Sequence, residues 1–306
     1  MSILVVGSFI VDLVVKTDNL PKTGETVFGN SFQVFLGGKG ANQAVAARRL
    51  GSEVFMTGMV GSDSYGEKFE TLFTQEGINF SYVYKCNSST GIGSVQVDKT
   101  GQNRIVMVPS ANLRYKAEDL LKVEALFEEV NVVMTQLEMN MDVIELTAKL
   151  AKKHHKIFIL NPAPMQPLSD ELLSNVDYLT PNETELKSLS PNEKCDSLES
   201  MICACNLLIK KGVKNVIVTL GDKGCLFVNH EIKKVFPTYK VNVVDTVAAG
   251  DSFNGALAHC LNVSSPIETA LLYANVVGAL TVQKEGAIPS LPTKEEVIKF
   301  IDNLHN

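Results

Sequence analysis

The chain has no surplus of basic residues: 28 Lys+Arg stand against 34 Asp+Glu in 306 residues, a formal charge of −6 with the five His neutral. Proteins that live on nucleic acid or on anionic membrane surfaces carry the opposite balance, so neither is an expected partner. No stretch approaches the roughly 18 apolar residues of a membrane span. The apolar run at Met1–Gly7 lacks the basic flank of a secretory signal and is broken at Asp12, so it reads as a buried strand ending in Gly7-Ser8. The six cysteines (Cys86, Cys195, Cys203, Cys205, Cys225, Cys260) form no Cys-x-x-Cys pair, and no His lies at zinc-finger distance from two of them. A structural metal site is not expected, and scattered cysteines in a long chain fit a reduced, cytoplasmic protein. There is no His-x-x-x-His pair and no Gly-x-Ser-x-Gly elbow, which leaves a serine hydrolase unsupported. Internal repeats and low-complexity tracts are absent too. At 45% hydrophobic and 20% charged, the composition is that of a globular protein, long enough for one large α/β domain with an accessory element or for two domains.

From about residue 115 the pattern alternates between short β-branched runs and amphipathic stretches. Val130–Thr135, Ile157–Leu160, Asp177–Leu179 and Asn215–Thr219 read as strands, with helices at Met141–His154 and Leu198–Lys211. This βαβ alternation implies a parallel sheet covered on both faces. The N-terminal third differs: Thr26–Phe28, Ser31–Phe35, Tyr82–Lys85, Gly91–Val97 and Arg104–Val108 are strand-like, interrupted by helices at Gly40–Leu50 and Gly66–Glu76. A small antiparallel piece is expected from segments near 13–36 and 90–110, projecting from the main sheet as an insertion or lid within a single domain.

Four stretches could carry chemistry. In Val244-Asp245-Thr246-Val247-Ala248-Ala249-Gly250-Asp251-Ser252-Phe253-Asn254-Gly255, the strand-like run Tyr239–Val244 leads through small residues into a helical pattern. That places Ala248, Ala249 and Gly250 at a helix N-terminus, where unpaired amides and the helix dipole bind anions. Asp251 has two readings: a base that takes a hydroxyl proton during phosphoryl transfer, or an acidic first-turn residue that complements the dipole. Gly37-Gly38-Lys39-Gly40-Ala41-Asn42-Gln43-Ala44 also opens a helix. It fits neither the Walker A loop nor Gly-x-Gly-x-x-Gly, and it is either a generic turn or a grip for a polyol or anion through Lys39 and Asn42. Pro181-Asn182-Glu183-Thr184-Glu185 has capping-box spacing, and the same Glu185 could order waters around Mg²⁺. Thr219-Leu220-Gly221-Asp222-Lys223-Gly224 alone signifies a hairpin turn. Asp12 and Glu138 each follow the end of a strand, the edge at which open α/β sheets bind ligands, although a solvated loop acid is the plainer reading of either.

Taken in order with Asn161-Pro162-Ala163-Pro164, these motifs closely resemble the ribokinase subgroup of the PfkB carbohydrate kinases from Gly7 to about Pro292. The resemblance implies a parallel-sheet, three-layer α/β domain of ribokinase-like fold with a β-sheet lid that commonly pairs with that of a second subunit. It implies Asp251 as catalytic base and the Ala248, Ala249 and Gly250 amides as the cradle for the γ-phosphate. Asn182 and Glu185 would lie near the nucleotide phosphates and Mg²⁺, and Thr219, Gly221 and Gly224 would line the ATP site. Asn275 would sit beside the adenine. Asp12, Gly38, Lys39 and Asn42 would hold the sugar, with Glu138 closing that pocket. An activating monovalent cation, usually K⁺, would be bound by Asp245 and Val247 with Thr281, Lys284, Gly286 and Ser290.

One position departs from the pattern. Ribose kinases of the family usually carry Asn two residues before the sugar-binding Asp, and this chain has Ile10. An apolar side chain leaves a sugar hydroxyl unpaired at a cost of about 1–3 kcal/mol. The implied activity is ATP-dependent phosphorylation of the 5-hydroxyl of a pentose, D-ribose first, with 2-deoxy-D-ribose as the alternative that Ile10 raises. A nucleoside kinase and a non-catalytic sugar-binding regulator are the further alternatives.

Overall fold

The computed structural model describes residues 1–191 and 194–305. Thirteen strands are found among them: β1 (Ser2–Val6), β2 (Ile10–Thr17), β3 (Gly29–Gly37), β4 (Glu53–Gly61), β5 (Val83–Cys86), β6 (Gly91–Val97), β7 (Asn103–Val108), β8 (Val132–Gln136), β9 (Ile157–Asn161), β10 (Tyr178–Leu179), β11 (Asn215–Thr219), β12 (Cys225–Val228) and β13 (Lys233–Phe236). Nine form one sheet in the order β13-β12-β11-β10-β9-β8-β1-β4-β5, and four form a second in the order β3-β2-β6-β7.

The large sheet is parallel from β11 to β5. Its strands are buried on both faces, which is why they read as continuous apolar runs. Along β1, Ile3 and Val5 join one apolar cluster and Leu4 and Val6 join the other. The first cluster takes in the helices Lys39–Arg49, Ser64–Glu76, Ala249–Asn262 and Ile267–Thr281, the second Met141–Lys153 and Leu198–Lys210. A three-layer α/β architecture results.

The structure corrects the expected layout in five places, the last of them the pairing within the small sheet. The sheet is not wholly parallel, because β11-β12-β13 is antiparallel; the turn Gly221–Lys223 links β11 to β12 as a hairpin. Tyr82–Lys85 does not belong with the small sheet: β5 pairs with β4 at the edge of the large one. Thr26–Phe28 forms no strand, and Phe28, 98% exposed, has no strand to pack on. Tyr239–Val244 forms none either, since its last amides, those of Val244 and Asp245, donate to Val282 O at the end of a helix (2.8 and 3.2 Å) rather than to a sheet.

The small sheet is mixed, not purely antiparallel: β2 pairs with β3 and β6 with β7 antiparallel, but β2 and β6 run parallel. β2 begins four residues after β1 ends, and β3 ends at Gly37, immediately before the Lys39 helix, so the small sheet is inserted at the C-terminal edge of β1. Its outer strands carry exposed apolar side chains, among them Phe32 (61%), Ile105 (56%) and Val106 (67%). No described helix is long and apolar enough to cross a membrane.

Candidate active site

The C-terminal ends of the parallel strands converge on one cleft of about 380 Å³. Lys39, Asn161, Asn182, Glu185, Thr219, Gly221 and the helix start Ala248–Asp251 line it. Strand ends at this edge present residues that no neighbouring strand covers, and open α/β sheets use them for ligands.

Two helix starts build the centre. Gly38 caps the Lys39 helix with φ +90°, and a Cβ there would lie 2.6 Å from Ile10 N, so only glycine lets the turn pass so close to the start of β2. Ala248 caps the Asp251 helix (Ala249–Asn262) in the left-handed region at φ 60°, with no side-chain cap. Ser252 is the first residue there to donate to a carbonyl four residues back, Ala248 O at 2.8 Å; of the preceding residues Ala249 donates to Thr246 O at 3.3 Å, and Ala248, Ala249 and Gly250 all line the cleft at the helix start.

Asp251 is buried behind those residues. Its Oδ2 accepts from Asn42 Nδ2 at 2.8 Å and its Oδ1 from Gln43 Nε2 at 3.1 Å. Glu138, following β8, accepts from the Ser8 hydroxyl and from the Lys39 backbone amide (2.9 Å), which ties the end of β1 to the Lys39 helix. Burial, offset in part by the Lys39 ammonium, holds the Glu138 carboxyl above the usual carboxylate range. Asp12, on β2, is pushed up to about 7 by burial and by the charges of Glu138 and Asp251, against the attraction of Lys39. For Lys39, burial favours the neutral amine, but Asp251, Glu138, Glu185 and Asp12 outweigh it and keep the ammonium above its ordinary range. The Lys39 ammonium thus feels four carboxylates drawn from far-apart stretches of chain.

The Asn182 and Glu185 side chains form the capping box that their spacing predicts, each bonding the other's backbone amide at 2.8 Å. Glu185 nonetheless lines the cleft, and burial raises its carboxyl although the Asn182 amide and Lys39 favour its charged form. Thr219 and Gly221 face the same cleft, but Gly224 and Asn275 do not. A Cβ at Gly224 would sit 2.0 Å from Phe236 O, so that glycine lets β12 and the end of β13 approach. The Asn275 amide is taken up by Phe236 O (3.0 Å) and Pro237 O (3.1 Å), which makes it a strut for the same segment.

The expected cation residues lie outside this cleft, on the segments after residues 244 and 281, where Asp245 joins Val247 and Gly286. Asp245 Oδ1 accepts from Val247 N and its Oδ2 from Gly286 N, both at 3.0 Å. The Lys284 amide closes a turn on Thr281 O (3.2 Å), its ammonium pairs with Glu296, and Ser290 Oγ donates to Ala287 O (2.7 Å). One carboxylate among carbonyls and a hydroxyl is a hard-oxygen set of single negative charge, which suits a monovalent cation. Glu185 shares the cleft with Glu183 and Asp251, and carboxylates at a helix-start anion site suit Mg²⁺, which keeps most of its waters. Among the described residues no group of three His, Cys, Asp or Glu side chains gathers into a metal cage.

Several residues of the site were not singled out from the sequence. Gln43, Gln136 and Asn161 are buried amides beside Asp251, and Asn112 brackets Phe9 through its amide and carbonyl (both 2.9 Å). Gly93 clears the Asp12 carboxylate, since a Cβ there would lie 2.4 Å from Asp12 Oδ1. The available signal was a polar residue at the end of an otherwise apolar strand, as at Gln136 and Asn161.

The chain is similar to known proteins over nearly its whole length. The model of the pfkB family carbohydrate kinases matches residues 1–294. A ribokinase of Haemophilus influenzae is 38% identical over 304 residues, 99% of either chain. A deoxyribokinase of Salmonella typhimurium is 35% identical over 98% of this chain and 99% of its own. The solved structure of Arabidopsis thaliana ribokinase complexed with ribose and ATP superposes with a TM-score of 0.90 at 33% identity, covering 97% of both chains. The family model spans nearly the whole chain and the relatives match it end to end, so this chain belongs to the pfkB family of carbohydrate kinases.

Proposed function

We propose that the chain transfers the γ-phosphoryl group of ATP to the 5-hydroxyl of a pentose, with D-ribose the best-supported acceptor. The observation that carries this reading is the placement of Asp251: buried, between helix-start amides on one side and Asn42, Lys39 and Asp12 on the other. An anion cradle and a sugar grip meet at one carboxylate.

In this reading Asp251 accepts the 5-hydroxyl proton as the sugar oxygen attacks phosphorus and the bond to ADP breaks, while the Ala248, Ala249 and Gly250 amides hold the equatorial charge. Asn42 Oδ1, buried without a partner and close to Gly37 and Asp12, is an acceptor for a sugar hydroxyl. Asp12, Gly38 and Glu138 complete that side of the pocket. Glu185 and Asn182 would hold Mg²⁺ through water, and the ion would neutralise phosphate charge. Asp245, Val247, Thr281, Lys284, Gly286 and Ser290 would hold K⁺ behind the helix start. Thr219 and Gly221 border the nucleotide, with Gly224 and Asn275 acting one step away by shaping β12 and β13. The small sheet, from about 13–36 and 90–110, serves as a lid on a single domain and excludes water that would consume ATP. Its exposed Phe32, Ile105 and Val106 favour pairing with the lid of a second subunit.

A second reading, 2-deoxy-D-ribose as the preferred acceptor, is favoured by one observation. Ile10 is buried and alternates onto the same face of β2 as Asp12, and a Cβ at the facing Gly91 would lie 2.5 Å from Ile10 Cδ1. An apolar patch therefore adjoins Asp12. The test is a coupled ADP-release assay of kcat/KM for D-ribose, 2-deoxy-D-ribose, fructose and adenosine, with and without K⁺. A ribose preference above about tenfold, or 1.4 kcal/mol, supports the first reading, and the reverse preference supports the second. No ADP formation with any acceptor would overturn both.

A further inference from the structure

Gln43 is fully buried, and both donors and the oxygen of its amide are engaged. Its Nε2 donates to Asp251 Oδ1 (3.1 Å) and to Asn161 Oδ1 (3.2 Å), and its Oε1 accepts from Gln136 Nε2 (2.6 Å). The chain of amides has a fixed direction. Asn161 Nδ2 donates to the backbone carbonyl of Thr180 (3.1 Å), an acceptor that cannot reverse, so Asn161 must turn its oxygen toward Gln43. A flipped Gln43 would set its own oxygen against both Asn161 Oδ1 and the Asp251 carboxylate. At the far end, Gln136 Oε1 is buried with no partner, packed against Gly7. Leaving such an acceptor unsatisfied is costly, and the arrangement tolerates it so that the Gln136 nitrogen can face Gln43.

We propose that Gln43 is a positioning residue for Asp251, and that Gln136 acts behind it by fixing the orientation of the Gln43 amide. The inference rests on the reading of Asp251 as base. Asn42 grips the other carboxylate oxygen through Nδ2, but its Oδ1 is the acceptor offered to the sugar, so a change there alters sugar affinity together with Asp251. Gln43 is fully buried and does not line the cleft itself; it reaches the cleft only through its bonds to Asp251 and Asn161. It holds the plane of the carboxylate throughout the cycle, so that the lone pair aimed at the 5-hydroxyl does not rotate away. Misplacement of a reacting group by about 1 Å costs on the order of 10²-fold in rate.

The test compares Gln43→Met, Gln136→Met, the double variant and Asp251→Asn, reading kcat with the best acceptor and sugar affinity by calorimetry. Methionine keeps the length of glutamine and removes the donor. The expected result is a kcat loss of about 10–100-fold for Gln43→Met and about 3–10-fold for Gln136→Met, with sugar Kd within about threefold of wild type. The double variant should be no worse than Gln43→Met within about twofold, because the two amides act through one bond. Wild-type kcat in Gln43→Met, losses that multiply in the double variant, or a sugar Kd that weakens in step with kcat would each overturn the inference. Should Gln43→Met fail to fold, Gln136→Met decides alone: unchanged kcat overturns the proposal, a loss at constant Kd upholds it. Near-normal turnover in Asp251→Asn would instead remove the base assignment itself, whereas an inactive Asp251→Asn beside a fully active Gln43→Met removes only the role of Gln43.

Discussion

Asp12, Glu138 and Asp251 crowd around one ammonium, Lys39, and the crowding has a titration consequence at Asp12. In the unfolded chain this carboxyl titrates at its ordinary 3.8, whereas in the folded protein burial, then Glu138 and Asp251, move it to about 7 despite Lys39. Between those values the native state holds a proton that the unfolded chain has released, so this group's contribution to stability is full below about pH 4 and declines as pH rises toward 7. Sugar hydroxyls bonding to Asp12 favour its ionised form, which reverses the preference on binding. Below about pH 7, sugar binding should therefore release protons, and affinity should weaken by up to about tenfold per pH unit as pH falls. Calorimetry in buffers of different ionisation enthalpy measures the proton count; a binding enthalpy independent of buffer at pH 6 would contradict the assignment of Asp12 to the sugar.

At the scale of elements, the site depends on how closely the Lys39 and Asp251 helices approach. Gly255, one turn beyond Asp251, makes that approach possible: a Cβ there would lie 2.6 Å from Ala46 Cβ and 2.8 Å from Gln43 O. Gly255→Ala should separate the helices, destabilise the fold by about 1–3 kcal/mol and lower kcat by stretching the bonds from Asn42 and Gln43 to Asp251. Thermal melting together with kcat checks this, and an unchanged melting temperature would contradict it. The same elements mark how far the sequence could be read. Strands Gly91–Val97 and Asn215–Thr219 fall where their β-branched runs end, because a buried parallel or pleated position demands such residues. Tyr239–Val244 has the same composition, yet Val243 and Val244 are 62% and 64% exposed and the Val244 amide bonds to a helix end. Its fate was set by the absence of a neighbouring strand, which local sequence does not encode. The helix starts at Lys39 and Asp251 were legible from their small residues. Gln43 and Gln136 were not, because their role exists only once strand and helix ends from distant segments meet.

For the whole molecule, a net charge of −6 makes no general attraction for ATP, itself an anion. Binding must rest on local charge, for which the cleft offers Lys39 and the start of the Ala249–Asn262 helix. Among the described residues the outer strands of the small sheet leave Phe32, Ile105 and Val106 exposed, the side chains on which the proposed lid pairing rests. Light scattering at micromolar protein is expected to give twice the 33.3 kDa chain mass, and Ile105→Lys with Val106→Lys to return it to one; a wild-type monomer would contradict lid pairing. The central claim is that this chain phosphorylates a sugar with Asp251 as the base. Its most direct test is kcat of Asp251→Asn against wild type with saturating D-ribose and ATP, alongside the KM for ribose. The account predicts a loss of about 10²–10⁴ in kcat with KM changed only a few-fold, and near-wild-type turnover of the variant would contradict it.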